Sequence, residues 1–196
     1  IMKETQRSNR YHIGIFGRRN VGKSTLLNAL TGQDVSIVSE VAGTTTDTVW
    51  KNIELPGIGA AVIGDTAGFD DVGELGGMRN ERTRRSAQQV DMALILVNGQ
   101  PDDAAYELEW RDFFKSADIP VIFVMTKCDA DTNYDVDSWK SILGQDVCSV
   151  SAKEGRGFDT LLEKMAALYK NDDNLDDITH SLVKTGDVVV LVMPQD

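Results

Sequence analysis

Residues 17–24 read GRRNVGKS and follow directly on an apolar run over residues 11–16. The stretch fits the pattern G-x-x-x-x-G-K-[ST] in the strand-to-helix setting that the pattern requires, which disfavours an ordinary glycine-rich turn. Its two glycines let backbone N-H groups turn toward phosphate oxygens, and the following helix points its positive end at the same place. We predict a phosphate cradle in which Lys23 reaches the β- and γ-phosphates and Ser24 places its hydroxyl on Mg²⁺. The residues expected to line this cradle are Asn20, Val21, Gly22, Lys23, Ser24 and Thr25.

Strand-length apolar runs alternate with helical stretches through most of the chain. The runs lie at residues 11–16, 61–64, 92–97, 121–125 and 147–150, and helices are expected at residues 23–31, 80–89, 104–117, 137–143 and 158–169. This alternation predicts a mostly parallel sheet with helices on both faces. Residues 49–55 and 60–65 are joined by a short Pro-Gly-Ile-Gly turn, which forces an antiparallel pair at the sheet edge. We therefore expect an α/β fold with a mostly parallel six-stranded sheet and one antiparallel edge strand.

The composition limits the classes of partner. Twenty basic against thirty-one acidic residues give a net charge of -11, which repels an extended phosphate backbone and disfavours nucleic acid as a partner. No run of about 18 apolar residues and no charged-then-apolar leader occurs, so we expect no membrane contact and a cytoplasmic location. The two cysteines, Cys128 and Cys148, cannot form a Cys₄ site, and we expect both to be buried thiols.

A second motif stands at the end of the strand predicted over residues 60–65. Residues 65–68 read DTAG, in which Asp65 can hold Mg²⁺ through water and the Gly68 N-H can meet the γ-phosphate. The pattern D-x-x-G is uninformative alone. Its position supports it, because neighbouring strand ends in such a sheet open onto the same crevice as the cradle.

Two further motifs follow the ends of the next predicted strands, and they indicate how the base of a nucleotide would be bound. Residues 126–129 read TKCD, and the Asp129 carboxylate can accept hydrogen bonds from the N1 and N2 donors of guanine, a pair that adenine lacks. Residues 151–153 read SAK, and the Ala152 N-H can meet the guanine O6. Each motif alone could be a polar strand-to-loop transition. Together they predict a guanine pocket formed by Thr126, Lys127, Asp129, Ser151, Ala152 and Lys153.

This order of motifs resembles the TRAFAC-class small GTPases, and the resemblance covers about residues 11–170. It implies a Ras-like P-loop fold, GTP and GDP as ligands with Mg²⁺, and GTP hydrolysis. Residues 43–47 read GTTTD and look like the switch loop of the TrmE and Era relatives. By that analogy Thr45 is a further Mg²⁺ ligand beside Ser24 and Asp65. The residues expected to serve hydrolysis are then Lys23, Thr45 and Gly68.

A closer resemblance is to the HydF family, the GTPases that mature [FeFe]-hydrogenase. Residues 17–24, 41–49 and 65–76 carry it, and residues 182–194 look like the join to that family's dimerisation domain. The resemblance implies a GTP-binding domain over residues 1–170, a linker over 171–187 and a truncated further domain from residue 188. It also implies a homodimer of the full-length protein, hydrogenase and other maturation proteins as partners, and no iron-sulphur cluster in this fragment.

The sequence lacks the glutamine that assists hydrolysis in Ras-like proteins. Phe69 stands where Ras-like proteins place a water-orienting glutamine, and no catalytic base can be assigned, so we expect slow intrinsic turnover. In the TrmE-like group a bound K⁺ replaces the arginine finger, and Asn20 matches its asparagine ligand. The resemblance thus implies K⁺ held by Asn20 with backbone oxygens of Ser39, Val41 and Thr44. The alternative is that Asn20 only caps the turn.

Three other functions stay open. A TrmE-like or Era-like GTPase in tRNA modification or ribosome assembly shares the same motifs, although the acidic charge argues against it. A non-catalytic module that binds GTP and serves only for docking is compatible with the missing glutamine. An ATP-binding protein is disfavoured by Asp129.

Overall fold

The structure is a computed structural model that describes residues 10–32, 37–41, 49–65, 84, 87–129 and 135–173. The strands are β1 (Tyr11–Gly17), β2 (Ile37–Val41), β3 (Val49–Leu55), β4 (Gly59–Asp65), β5 (Met92–Val97), β6 (Val121–Met125) and β7 (Val147–Ser149). The helices are α1 (Lys23–Gly32), α2 (Ala105–Ser116), α3 (Val136–Leu143) and α4 (Phe158–Asp173).

The strands form one sheet in the order β2-β3-β4-β1-β5-β6-β7. Strand β1 lies between β4 and β5 and is parallel to both. The chain builds the sheet on one side of β1 up to β4 and then continues on the other side from β5. The loop after β1 therefore lies where the strand order reverses, the place at which such sheets bind ligands.

The α/β fold class is confirmed, and the sheet differs from the expected one in a single strand. Seven strands are present among the described residues where six were expected, because Ile37–Val41 pairs antiparallel with β3. Strand β3 is antiparallel to β4, as the short turn between them requires. It does not lie at the sheet edge, because β2 covers its outer side.

Apolar side chains alternate between the two faces of the sheet, and each face is covered by two of the helices that the structure describes. In β5, Met92, Leu94 and Leu96 join one core cluster, while Ala93, Ile95 and Val97 join the other. Leucines of α1 and the buried face of α4 complete the first cluster. Trp110 and Phe114 of α2 and Trp139 and Leu143 of α3 complete the second. This period-two burial of a central strand explains why its sequence is apolar throughout.

The helix boundaries agree with the expected ones to within a few residues where the structure describes them. The helix predicted over residues 80–89 falls largely outside the described residues, although the Gln88 N-H donates to the Arg84 carbonyl at 3.0 Å, as in a helix. Residues 174–196 also lie outside them, and with them most of the linker predicted over 171–187, whose first three residues continue α4, and the strand predicted after it. No helix in the described part of the chain has the length and apolarity needed to cross a membrane.

Candidate nucleotide-binding site

The loop between β1 and α1 has the backbone conformation of a cradle. Gly17 has a φ of +147°, and a Cβ built there would lie 2.9 Å from the Leu96 carbonyl oxygen, so β5 admits only glycine at this point. Asn20 and Gly22 also have positive φ values, 61° and 109°. The Leu26 N-H donates to the Gly22 carbonyl at 2.8 Å, which closes the first turn of α1. The helix therefore directs its N-terminus at the concave side of the loop.

The Lys23 ammonium lies inside this loop. Its side chain is buried, and Nζ donates to the carbonyl oxygens of Gly17 at 2.7 Å and Arg18 at 3.1 Å. A buried ammonium needs such partners because its desolvation is costly. The two carbonyls hold the charge at the centre of the cradle, where the sequence predicted a phosphate contact.

The residues of the TKCD motif bind the back of the cradle. Thr126 is buried, and its Oγ1 donates to the Val21 carbonyl at 2.5 Å. Lys127 has a φ of 58°, and its exposed Nζ donates to the Asn20 carbonyl at 2.8 Å. Two side chains from the end of β6 thus fix two consecutive peptides of the cradle. A threonine hydroxyl supplies one of these bonds.

Asp129 and Ser151 are brought together from the ends of β6 and β7. Ser151 is buried, and its Oγ donates to Asp129 Oδ1 at 2.8 Å and accepts the Glu154 N-H at 3.1 Å. The bond from Ser151 is the main reason that the pKa of Asp129 lies below its ordinary value. The bond favours the ionised form of the carboxylate, which is the form that accepts two N-H donors.

A cavity of about 130 Å³ opens between the cradle and these two loops. Its walls are formed by Gly22, Thr25, Leu26, Thr126, Lys127, Asp129, Val150, Ala152 and Lys153. Seven of the residues predicted to bind nucleotide, from separate parts of the sequence, therefore face one space. Leu26 and Val150 supply apolar walls and were not predicted, because both belong to the first core cluster and their sequence positions mark them only as core.

The Mg²⁺ side of the predicted site is described in part. Ser24 is exposed in the first turn of α1, and Asp65 ends β4 in register with Ile15 of β1, two residues before Gly17. A serine hydroxyl and an aspartate carboxylate are the hard oxygen ligands that Mg²⁺ prefers, and the backbones of these two residues lie at the cradle end of the sheet. Thr44, Thr45 and Gly68 lie outside the described residues. Among those described, no group of three or more His, Cys, Asp or Glu side chains could hold a metal ion.

The backbone of the predicted K⁺ ligands is described for three of the four. Asn20 lies in the cradle, and Ser39 and Val41 belong to β2, where they pair with Asn52 and Trp50 of β3. Residues two apart in a strand direct their carbonyls to the same side. The oxygens of Ser39 and Val41 therefore point the same way, but two residue rises of roughly 3.3 Å separate them along the strand, so the paired form of β2 does not bring both to one ion.

One contact of the cradle was not predicted. Arg18 Nε donates to Glu107 Oε1 at 2.8 Å and its Nη2 donates to Oε2 at 3.1 Å, and Glu107 raises the pKa of Arg18. Glu107 belongs to α2 and is buried with Trp110 and Phe114 of the same helix. The signal in the sequence was a glutamate on the apolar stripe of a helix.

The prediction that both cysteines are buried holds for one of them. Cys148 is buried, but Cys128 is only half-buried because it stands in the loop after β6.

The chain matches a family described as 50S ribosome-binding GTPases over residues 12–127. It is 37% identical over 166 residues to the tRNA modification GTPase MnmE of Heliobacterium modesticaldum. That alignment covers 82% of this chain and 34% of the relative, so the chain spans about a third of the length of this curated protein.

Solved structures show the same fold. Era of Aquifex aeolicus bound to GDP·AlF₄⁻ is 28% identical, with a TM-score of 0.59 over 80% of this chain and 56% of that one. The G domain of the T. maritima iron transporter FeoB has a TM-score of 0.57 over 83% of this chain and 99% of that one. Its 19% identity supports a likeness of fold alone.

Proposed function

Because the chain belongs to the 50S ribosome-binding GTPase family, as a GTP-binding domain of the TrmE and Era type, we propose that it is a GTP-hydrolysing switch with slow intrinsic turnover. The observation that carries the proposal is the cavity bounded by the cradle on one side and Asp129 on the other. A carboxylate there accepts two N-H bonds from guanine, whereas adenine offers an acceptor at N1 and no amino group at C2. Asp129 thereby selects the base.

The cradle residues bind and orient the phosphates in this proposal. From its position on the Gly17 and Arg18 carbonyls, Lys23 Nζ contacts the β- and γ-phosphate oxygens and neutralises charge that develops during hydrolysis. Ser24, Asp65 and Thr45 would hold Mg²⁺, which would supply further neutralisation of the phosphate charge. Gly68 offers its N-H to the γ-phosphate.

We further propose that K⁺ assists hydrolysis at Asn20, with carbonyl oxygens of Ser39, Val41 and Thr44. The place of Asn20 in the cradle and its match to the asparagine of the TrmE-like group support this assignment. The test is phosphate release from GTP in K⁺ and in Na⁺, for the wild type and Asn20→Ala. We expect K⁺ to stimulate only the wild type. Equal rates in both salts would remove the K⁺ site, and flat rates in both salts with GTP still bound would leave a binding module.

As a biological role we propose the GTPase switch of an [FeFe]-hydrogenase maturation scaffold that acts as a homodimer with hydrogenase maturation proteins. The support is the resemblance of residues 65–76 and 182–194 to that family. In this proposal residues 1–170 form the GTP-binding domain, residues 171–187 a linker and residues 188–196 the start of a dimerisation domain. The loss of the γ-phosphate would release both switch loops and change how the domain contacts its neighbours.

A second role is favoured by one comparison. The 37% identity to a tRNA modification GTPase supports a function in tRNA modification. Deletion of the gene in its source organism separates the two roles, when hydrogenase activity and the modified nucleosides of tRNA are both measured. Loss of hydrogenase activity with normal tRNA supports hydrogenase maturation. The reverse pattern supports tRNA modification and contradicts the first role.

A further inference from the structure

The side chain of Arg18 leaves the cradle and contacts the start of α2. Besides its two bonds to the Glu107 carboxylate, its Nη2 donates to the Asp103 carbonyl at 2.6 Å. The guanidinium also lies 5.6 Å from the centre of the Tyr106 ring. Four contacts in three directions fix a long side chain that an exposed loop arginine would otherwise leave free to rotate.

Glu107 differs from an ordinary surface partner. Its side chain is 3% exposed, whereas that of Asp103, 3.7 Å from the same guanidinium, is 69% exposed. Exposed ion pairs contribute little, because water and salt compete with them. A buried carboxylate with a bidentate arginine forms a stronger and more directional contact, and the loss of one partner leaves the other charge unpaired. Glu107 is therefore an anchor point that the core of α2 holds in place.

The same helix also holds the residue on the other side of Gly17. The ring of Phe16 packs against Trp110 and Phe114, with centroid distances of 4.7 and 4.9 Å. Helix α2 thus fixes the chain immediately before and immediately after the glycine at which the cradle begins. The Arg18 carbonyl, one of the two acceptors of Lys23 Nζ, lies in the segment that is fixed in this way.

We propose that Arg18 and Glu107 are positioning residues that hold the phosphate cradle in its binding conformation. Because the pair fixes the peptide that carries the Arg18 carbonyl, it places the Lys23 ammonium before a phosphate arrives. A preformed site binds more tightly, since less ordering is required on binding. The pair lies on the phosphate side, so it should affect GDP and GTP alike and leave the choice between guanine and adenine unchanged.

The experiment compares Glu107→Gln and Arg18→Lys with Glu109→Gln, an exposed glutamate of the same helix that serves as the matched control. The readouts are the dissociation constants for GDP, for a non-hydrolysable GTP analogue and for ATP. We expect Glu107→Gln and Arg18→Lys to bind the guanine nucleotides about tenfold more weakly, and Glu109→Gln to match the wild type. The ratio of GTP-analogue to ATP affinity should stay constant.

A second pair of variants separates positioning from mere stability. Arg18→Met leaves Glu107 buried without its partner and should lower both the melting temperature and the affinity for GDP. Adding Glu107→Gln removes the unpaired charge, so the double variant should regain melting temperature without regaining affinity. If affinity returns together with stability, or if the single variants bind GDP like the wild type, the inference is wrong. It rests on the proposed nucleotide binding, which fails separately if the wild type and Glu109→Gln bind no GDP.

Discussion

The phosphate side and the base side of the site are built in different ways. The phosphate side comes from one continuous segment, residues 17–24, whose binding groups are mostly backbone atoms shaped by glycines and a helix end. The base side comes from side chains of two loops that are far apart in sequence and meet only because β6 and β7 are neighbours. Local sequence determines the first, and the order of the strands determines the second.

The two sides are nevertheless bonded to each other. Thr126 and Lys127 belong to the base side, yet their side chains donate to the carbonyls of Val21 and Asn20 in the cradle. The base side therefore supports the phosphate side, and α2 supports it from the opposite direction through Arg18. A substitution on one side can therefore affect that side alone only when it leaves these bonds in place.

The largest effect is expected from Lys23→Ala, which removes the buried cation of the phosphate side. GTP turnover should fall on the order of a hundredfold or more, because that charge is lost where the transition state gains negative charge. Phosphate release and nucleotide binding check this, with the exposed Lys115→Ala as control. The preference for guanine over adenine should persist. A lost preference would show that the two sides cannot be separated.

Asp129→Asn changes the base side alone. The amide presents a donor to the N1-H of guanine, so affinity for GTP should fall on the order of tenfold to a hundredfold. Xanthine has an oxygen where guanine has its amino group, so affinity for XTP should rise. Competition binding with GTP, XTP and ATP measures the switch. Unchanged GTP affinity would mean that Asp129 does not read the base.

Thr126→Val tests the bond that joins the two sides. The variant keeps the shape of the side chain but leaves the Val21 carbonyl without its donor, so the free energy of unfolding should fall by about 1–3 kcal/mol. Denaturant unfolding measures the loss, and nucleotide affinity should fall with it. Thr126→Ser keeps the hydroxyl and is the control. If serine and valine behave alike, the hydroxyl bond contributes nothing.

Ser151→Ala should give the smallest effect, visible mainly in its pH dependence. The bond from Ser151 holds the pKa of Asp129 below its ordinary value. The stability that this bond gives to the folded protein is therefore present above the pKa that Asp129 has in the unfolded chain, and it is lost as pH falls through the pKa that Asp129 has in the folded protein. Without the serine, the pKa of Asp129 rises toward the ordinary value. GDP binding should then decline at a higher pH than in the wild type. Identical acid profiles would contradict the assigned role of Ser151.

The sequence predicted the cradle well because its residues are adjacent and its conformation is local. It predicted the base-side residues from motif order, and the parallel sheet brought Asp129 and Ser151 together as expected. Strand β2 was missed because a five-residue strand depends on the exposed edge of β3 for its partner, a tertiary condition. The bond from Arg18 to Glu107 joins residues 89 positions apart, and only the glutamate on an apolar helix stripe hinted at it.

The most direct test of the account is the initial rate of phosphate release from GTP and from ATP, at equal concentrations with Mg²⁺ and K⁺. We predict slow release from GTP and only background release from ATP, because the Asp129 carboxylate admits guanine to the cavity beside the cradle. Equal release from both nucleotides, or no release from GTP that is demonstrably bound, would contradict it.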